Sequence, residues 1–141
     1  MPITYQQINH SYFLRLDPGD EIISCVKKFC VFHKLRAGTI RGLGAVKSIN
    51  LGFFEPTTKK YQQQTFEGAF EMTSLTGNIS FQNEEVYLHM HATFAGSDYQ
   101  VFGGHLATAV VSATVELCIS KEEGQLNRVF HPQIGLNIWD F

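Results

Sequence analysis

Three of the chain's six histidines fall within seventeen positions, as His89-Met90-His91 and then Gly103-Gly104-His105. The first two alternate inside an apolar run, Val86 to Phe94. On a β-strand successive side chains point to opposite faces, so Tyr87, His89, His91 and Thr93 share one face while Val86, Leu88, Met90, Ala92 and Phe94 share the other. One face suits a core, and the other presents two imidazoles side by side. Imidazole is a good ligand for zinc, copper, iron and nickel, and the i and i+2 side chains of a strand can share one ion. A third imidazole, delivered by His105 from a glycine-flanked turn, completes a three-histidine set with one coordination position left for water or substrate. That ligand count belongs to a catalytic or ligand-binding centre and not to a closed structural one. Imidazole-only ligation makes zinc the default ion. Histidines that hydrogen-bond on a half-exposed sheet face give the same spacing, and the spacing alone leaves both readings open.

The elements that must position these residues are legible in outline. Tyr12 to Leu16 reads as a strand, and Asp17-Pro18-Gly19-Asp20 then predicts an N-cap aspartate, a proline at the first helical position and an acid in the first turn. A helix follows to about Leu35. Ile22, Val26, Phe29, Cys30 and His33 recur at helical spacing on its apolar side, opposite Lys27, Lys28 and Lys34, so His33 reads as a satisfied packing residue. Ala37-Gly38 suits the helix C-cap. Strands are expected next: Ile49 to Phe53, a turn over Glu55 to Lys59, a return over Tyr61 to Phe66, then Phe70 to Leu75, Asn78 to Gln82, Val86 to Phe94 and Ala107 to Ile119. Small residues leave room for helix around Gly104 to Val110. A closing segment, Asn127 to Phe130 and Gly135 to Trp139, is expected to complete the sheet. The fold class is α+β: one domain over residues 1–141, with a mixed, largely antiparallel sheet and a helix near the N-terminus.

Composition agrees with a compact domain. A chain of 141 residues that is 44% apolar and carries twelve phenylalanines can fill a substantial core. The net charge is −2, the eleven basic residues are scattered, and Lys27-Lys28 and Lys59-Lys60 are the only adjacent pairs, so no basic face for nucleic acid is written in the sequence. The expected location is the cytoplasm, since no run combines the features of a secretory leader or reaches a membrane span. Cys25, Cys30 and Cys118 are odd in number, sit in apolar surroundings and form no Cys-x-x-Cys pair, which points to reduced core thiols. Arg41-Gly-Leu-Gly-Ala45 lacks the spacing of a dinucleotide loop, and its glycines read as a bend or close approach in the sheet.

Four ordered blocks carry a family resemblance: Arg41 to Val46, Gly68 to Ile79, His89 to Phe94 and Gly103 to Leu106. Together they resemble the PPC domain, the plant and prokaryote conserved domain, over about Tyr12 to Trp139. The resemblance implies a homotrimer, described in prokaryotes as a "putative DNA-binding protein". It also implies kinship in fold with acetolactate decarboxylase, whose ion is held by a His-x-His pair and a later histidine; on that basis His89, His91 and His105 carry over as metal ligands.

The chain also departs from the family pattern. Plant members hold DNA with an Arg-Gly-Arg-Pro core, whereas here Arg41-Gly42 is followed by leucine, and plant members lack the histidine set. A decarboxylase-like site would need a carboxylate and a cation near the ion, and Glu71, Glu116 and Arg41 are the candidates, the glutamates as proton carriers. Each could equally be a strand-surface charge. Three classes of function follow: a trimeric metal site open to a small oxo-acid or other chelating ligand, DNA binding or regulation, and a trimerisation scaffold.

Overall fold

The computed structural model describes residues 3–141. Nine strands and one helix follow the order β1 (Thr4–Ile8), β2 (Ser11–Leu16), α1 (Ile22–Phe32), β3 (Gly38–Glu55), β4 (Lys60–Phe66), β5 (Phe70–Gln82), β6 (Glu85–Ala95), β7 (Val101–Lys121), β8 (Arg128–His131) and β9 (Leu136–Trp139). A single 11-residue helix against this much sheet makes the fold mostly β, not a balanced α+β mixture. Every named strand pairing is antiparallel.

The main sheet runs β1-β2-β7-β6-β5-β3-β4, and β3 also pairs with β7. The strands β3, β5, β6 and β7 therefore close into a ring of hydrogen bonds. Closure gives the barrel one inside, and the alternating apolar residues of all four strands fill it: Ile40, Val46, Ile49, Met72, Leu75, Ile79, Met90, Phe94, Val111, Val115 and Ile119 are all essentially inaccessible. On β7 one edge is held by β6 over Val101–His105 and by β2 over Val115–Ser120. Between these stretches, Gly19 donates to the Val111 carbonyl and Val111 donates to the Asp20 carbonyl. The helix that follows seals this gap with Ile22, Cys25, Val26, Phe29 and Cys30.

This docking corrects the expected start of the helix. Asp17 to Asp20 forms a turn with Gly19 at φ +94°, committed to β7, and the N-cap is Glu21, whose carboxylate accepts from the Ile23 and Ser24 amides at 2.6 and 3.2 Å. The end also moves. His33 caps the helix, and Lys34 adopts φ +56°, which turns Leu35 back into the core. Gly38, expected at the cap, instead opens β3. His33 packs edge and face against Phe29, Tyr5 and Tyr12, but its Nε2 is buried without a partner, so it is a packing residue and not a satisfied one. Cys25, Cys30 and Cys118 are buried free thiols, and burial pushes Cys30 up to about 12.

Strands are longer than their sequence signals. Phe70 to Gln82 is one strand through Gly77, and helix around Gly104 to Val110 gives way to β7. β1 has no apolar alternation and was not expected; its burial pattern is exposed throughout, and it is held by pairing with β2. The segment expected to complete the sheet forms a separate hairpin, β8-β9, tied to the barrel by a bridge between Phe81 and Asn127. No helix among the described residues is long and apolar enough to cross a membrane.

Gly103 and Gly104, expected in a turn, lie within β7. Strands β6 and β7 approach so closely that a Cβ on Gly103 would stand 2.5 Å from the Ala92 carbonyl oxygen. Gly103→Ala is expected to force the two strands apart and lower stability by about 1–3 kcal/mol, measured by urea unfolding, because backbone cannot yield as a flexible side chain would.

Candidate metal centre

Alternation along β6 places Val86, Met90, Ala92 and Phe94 in the core and leaves Tyr87, His89, His91 and Thr93 on the outer face, as the sequence pattern predicts. Strand register then delivers the third histidine. His91 lies directly opposite His105 on β7, and His105 in turn faces Gly52 on β3. Ring centroids are 4.9 Å apart for His89 and His91, 5.6 Å for His89 and His105, and 5.8 Å for His91 and His105. One nitrogen from each ring falls within 4.8 Å of the other two.

This donor set fits a metal ion. Zinc–nitrogen bonds of about 2.0–2.1 Å place tetrahedral ligand atoms about 3.4 Å apart. His89 Nε2 and His91 Nε2 are already 3.2 Å apart, and only one of them can carry the proton between them. His105 Nδ1 is buried with no hydrogen-bond partner, a desolvation cost that ligation through that nitrogen would offset. Burial, then His91, Arg128 and His105, push His89 down to about 4. Burial and His91 lower His105 as well. Both rings are thus neutral at physiological pH, which is the form that binds metal.

The histidines open into a cavity of about 290 Å³ lined also by Phe53, Phe54, Tyr61, Tyr87, Leu136, Asn137 and Arg128. The Tyr61 ring packs tilted against His105, centroids 5.0 Å apart, and burial followed by the proximity of Tyr87 raises its phenol. Arg128 comes from β8 and is fixed on three sides. Its Nε donates to Ser80 Oγ at 2.6 Å, Nη2 to Asn78 Oδ1 at 2.7 Å and Nη1 to the Asn137 carbonyl at 3.0 Å. Asn78 is the cross-strand partner of His89, so the guanidinium stands beside the histidines. It also lies 4.8 Å from the centre of the Tyr87 ring.

Arg41, Glu71 and Glu116 lie elsewhere. Arg41 and Glu116 line a different, open groove with Tyr5, Phe13 and Leu43, and exposed Glu71 pairs with Ala45 and Ala95 at the far end of β5. The cation beside the histidines is Arg128, which sequence reasoning missed. It is remote in sequence from the histidines and sits in a hairpin whose docking no local pattern announces.

The Plants and Prokaryotes Conserved (PCC) domain model, the PPC family of the sequence blocks above, matches residues 3–123. The chain belongs to this family. None of the curated proteins matches it. Among solved structures, this PCC domain is similar to a "putative DNA binding protein" from Bacteroides thetaiotaomicron, with 37% identity, coverage of 99% of this chain and 97% of that one, and a TM-score of 0.96. It is also similar to a metal-containing protein from Archaeoglobus fulgidus, at 28% identity, 100% and 99% coverage and a TM-score of 0.87. Acetolactate decarboxylase from Bacillus subtilis shares the fold at 17% identity and a TM-score of 0.58; the match covers 89% of this PCC domain and 56% of the decarboxylase.

The depressed His89 sets a pH dependence for the metal-free PCC domain. Below 6.5 the unfolded chain takes up a proton that the folded ring refuses, so stability is full above that value and falls as pH drops toward 4. Discounted for a ring that is only half-buried, the loss is about 1–2 kcal/mol. Urea unfolding at pH 7 and pH 4.5 measures it, and His89→Gln should show a smaller difference between the two.

Proposed function

We propose that this PCC domain is a metal-binding protein whose ion, zinc by its all-imidazole donors, is held by His89, His91 and His105 and presented to a small chelating ligand. The observation that carries this reading is the convergence of three imidazoles, one with a buried unpaired nitrogen, at the wall of a cavity. An ion held by three protein ligands keeps a position open, and when bound it supplies Lewis-acid polarisation of a carbonyl or lowers the pKa of water. Around it the chain's own residues orient and screen the ligand: Phe53, Phe54 and Leu136 wall the cavity, and Tyr61 and Tyr87 bring phenol groups to the same lining. A small oxo-acid is the substrate class for an enzymatic role. The name of the Archaeoglobus relative supports the metal.

The working assembly in this reading is a homotrimer. Exposed Tyr5, Phe13 and Leu43 in the open groove, edged by Arg15, Arg41 and Glu116, are the kind of mixed surface that a second subunit covers. The name of the Bacteroides relative favours a second reading, DNA binding, in which a trimer gathers scattered basic residues into one face.

Metal analysis by mass spectrometry on protein purified without a histidine tag tests the main reading. About one zinc per chain is expected, lost in His89→Ala and His105→Ala while the circular dichroism of the fold persists; zinc unchanged in both variants would sink the site. Sedimentation equilibrium should give three chains per particle before and after chelation, and Leu43→Glu should dissociate them. Fluorescence anisotropy with duplex DNA at low salt decides the second reading, since phosphate contacts are strongest there.

A further inference from the structure

The C-terminal hairpin β8-β9 lies beyond the residues 3–123 that the family model matches, yet it supplies Arg128, Leu136 and Asn137 to the histidine cavity. We propose that this hairpin makes the cavity a receptor for a small organic carboxylate, with Arg128 gripping the carboxylate and the metal holding a second oxygen of the same ligand. The proposal rests on the metal-binding reading above and adds the residue and the hairpin that select the acid group of its ligand.

The cavity lining contains no aspartate or glutamate. A divalent ion on three imidazole ligands and a guanidinium beside them place like charges in one small space, and nothing in the wall offsets them. An anionic ligand removes that repulsion, whereas a neutral one does not.

A guanidinium carries five N–H donors, of which Arg128 spends three, on Ser80, Asn78 and Asn137. Ser80 is the only polar residue among the buried ones described, and its hydroxyl accepts from Arg128 Nε while donating to the Tyr87 carbonyl. An arginine anchored to a fully buried hydroxyl has lost its side-chain freedom before any ligand arrives. Two donors remain, and the side chain lines the cavity. Such a fixed fork suits a planar carboxylate.

About 290 Å³ is at the lower end of ligand cavities, room for a molecule of a few heavy atoms. Phe53, Phe54 and Leu136 favour a ligand with an apolar part, which an inorganic oxyanion lacks. Pyruvate has this make-up: a carboxylate, an adjacent carbonyl oxygen for the metal and a methyl group.

The experiment is isothermal titration of the zinc-loaded full chain with pyruvate and, as a neutral analogue, methyl pyruvate, in wild type, Arg128→Gln and Arg128→Lys, with zinc content measured on each sample. The expected result is zinc at the wild-type level in all three and at least tenfold weaker pyruvate binding in Arg128→Gln. Arg128→Lys, which keeps the charge and guards against a misfolded hairpin, should recover part of the affinity, and methyl pyruvate should bind weakly and equally to all. Zinc in place with pyruvate bound equally by wild type and Arg128→Gln, or not bound at all by wild type, overturns the carboxylate proposal alone. A wild-type chain that takes up no zinc overturns the metal reading itself, and this proposal with it.

Discussion

The hydrogen bonding of β3 to β5 along one edge and to β7 along the other is the constraint on which the rest depends. It closes four long strands into a barrel, so each of them has one face that must be apolar and one that need not be. Without closure β6 would have no fixed inside, and the alternation of His89 and His91 with Met90 would carry no spatial meaning. With it, the outer positions are released from packing and can hold groups chosen for chemistry. Closure also demands close backbone approach, and glycines stand where neighbouring strands leave no room for a Cβ, as Gly103 does against Ala92.

Register does the finer work. A shift of one residue between β6 and β7 would turn His105 to the opposite face from His91, and the three-ring cluster would not exist. The helix enters through the same logic. Where β6 and β2 leave one edge of β7 unpaired, Gly19 and Asp20 take up the Val111 backbone groups, and α1 covers the apolar side chains beneath. The hairpin β8-β9 is held differently, by polar contacts: Arg128 bonds to Ser80 and Asn78, and Gln82 to Asn137. Its attachment point is therefore the histidine cavity itself, which joins the position of the hairpin to the electrostatics around His89, His91 and His105.

Sequence reasoning failed where an interaction partner was distant in the chain. The helix start at Asp17 was a sound local reading, since aspartate followed by proline is a good N-terminal signal. Val111, some ninety positions on, claims that backbone instead, and Glu21 becomes the cap. Gly103-Gly104 looks like a turn because glycine often marks one, but in a closed barrel glycine also marks crowding between strands. The polar strand β1 gave no periodic signal because pairing with β2, not burial, holds it.

What the sequence by itself determined was everything with a local period: the strand carrying His89 and His91, the face on which they sit, the apolar side of α1, the hairpin of β3 and β4, and the four blocks that mark the family. Alternation and helical spacing are properties of consecutive residues and survive without knowledge of the fold. Only the tertiary structure decided that the barrel closes, that His105 falls opposite His91, and that the cation beside the histidines is Arg128, with Arg41 in a different groove. Those outcomes depend on register and docking between segments far apart in the chain. Their energies come from contacts that exist only once the chain has folded.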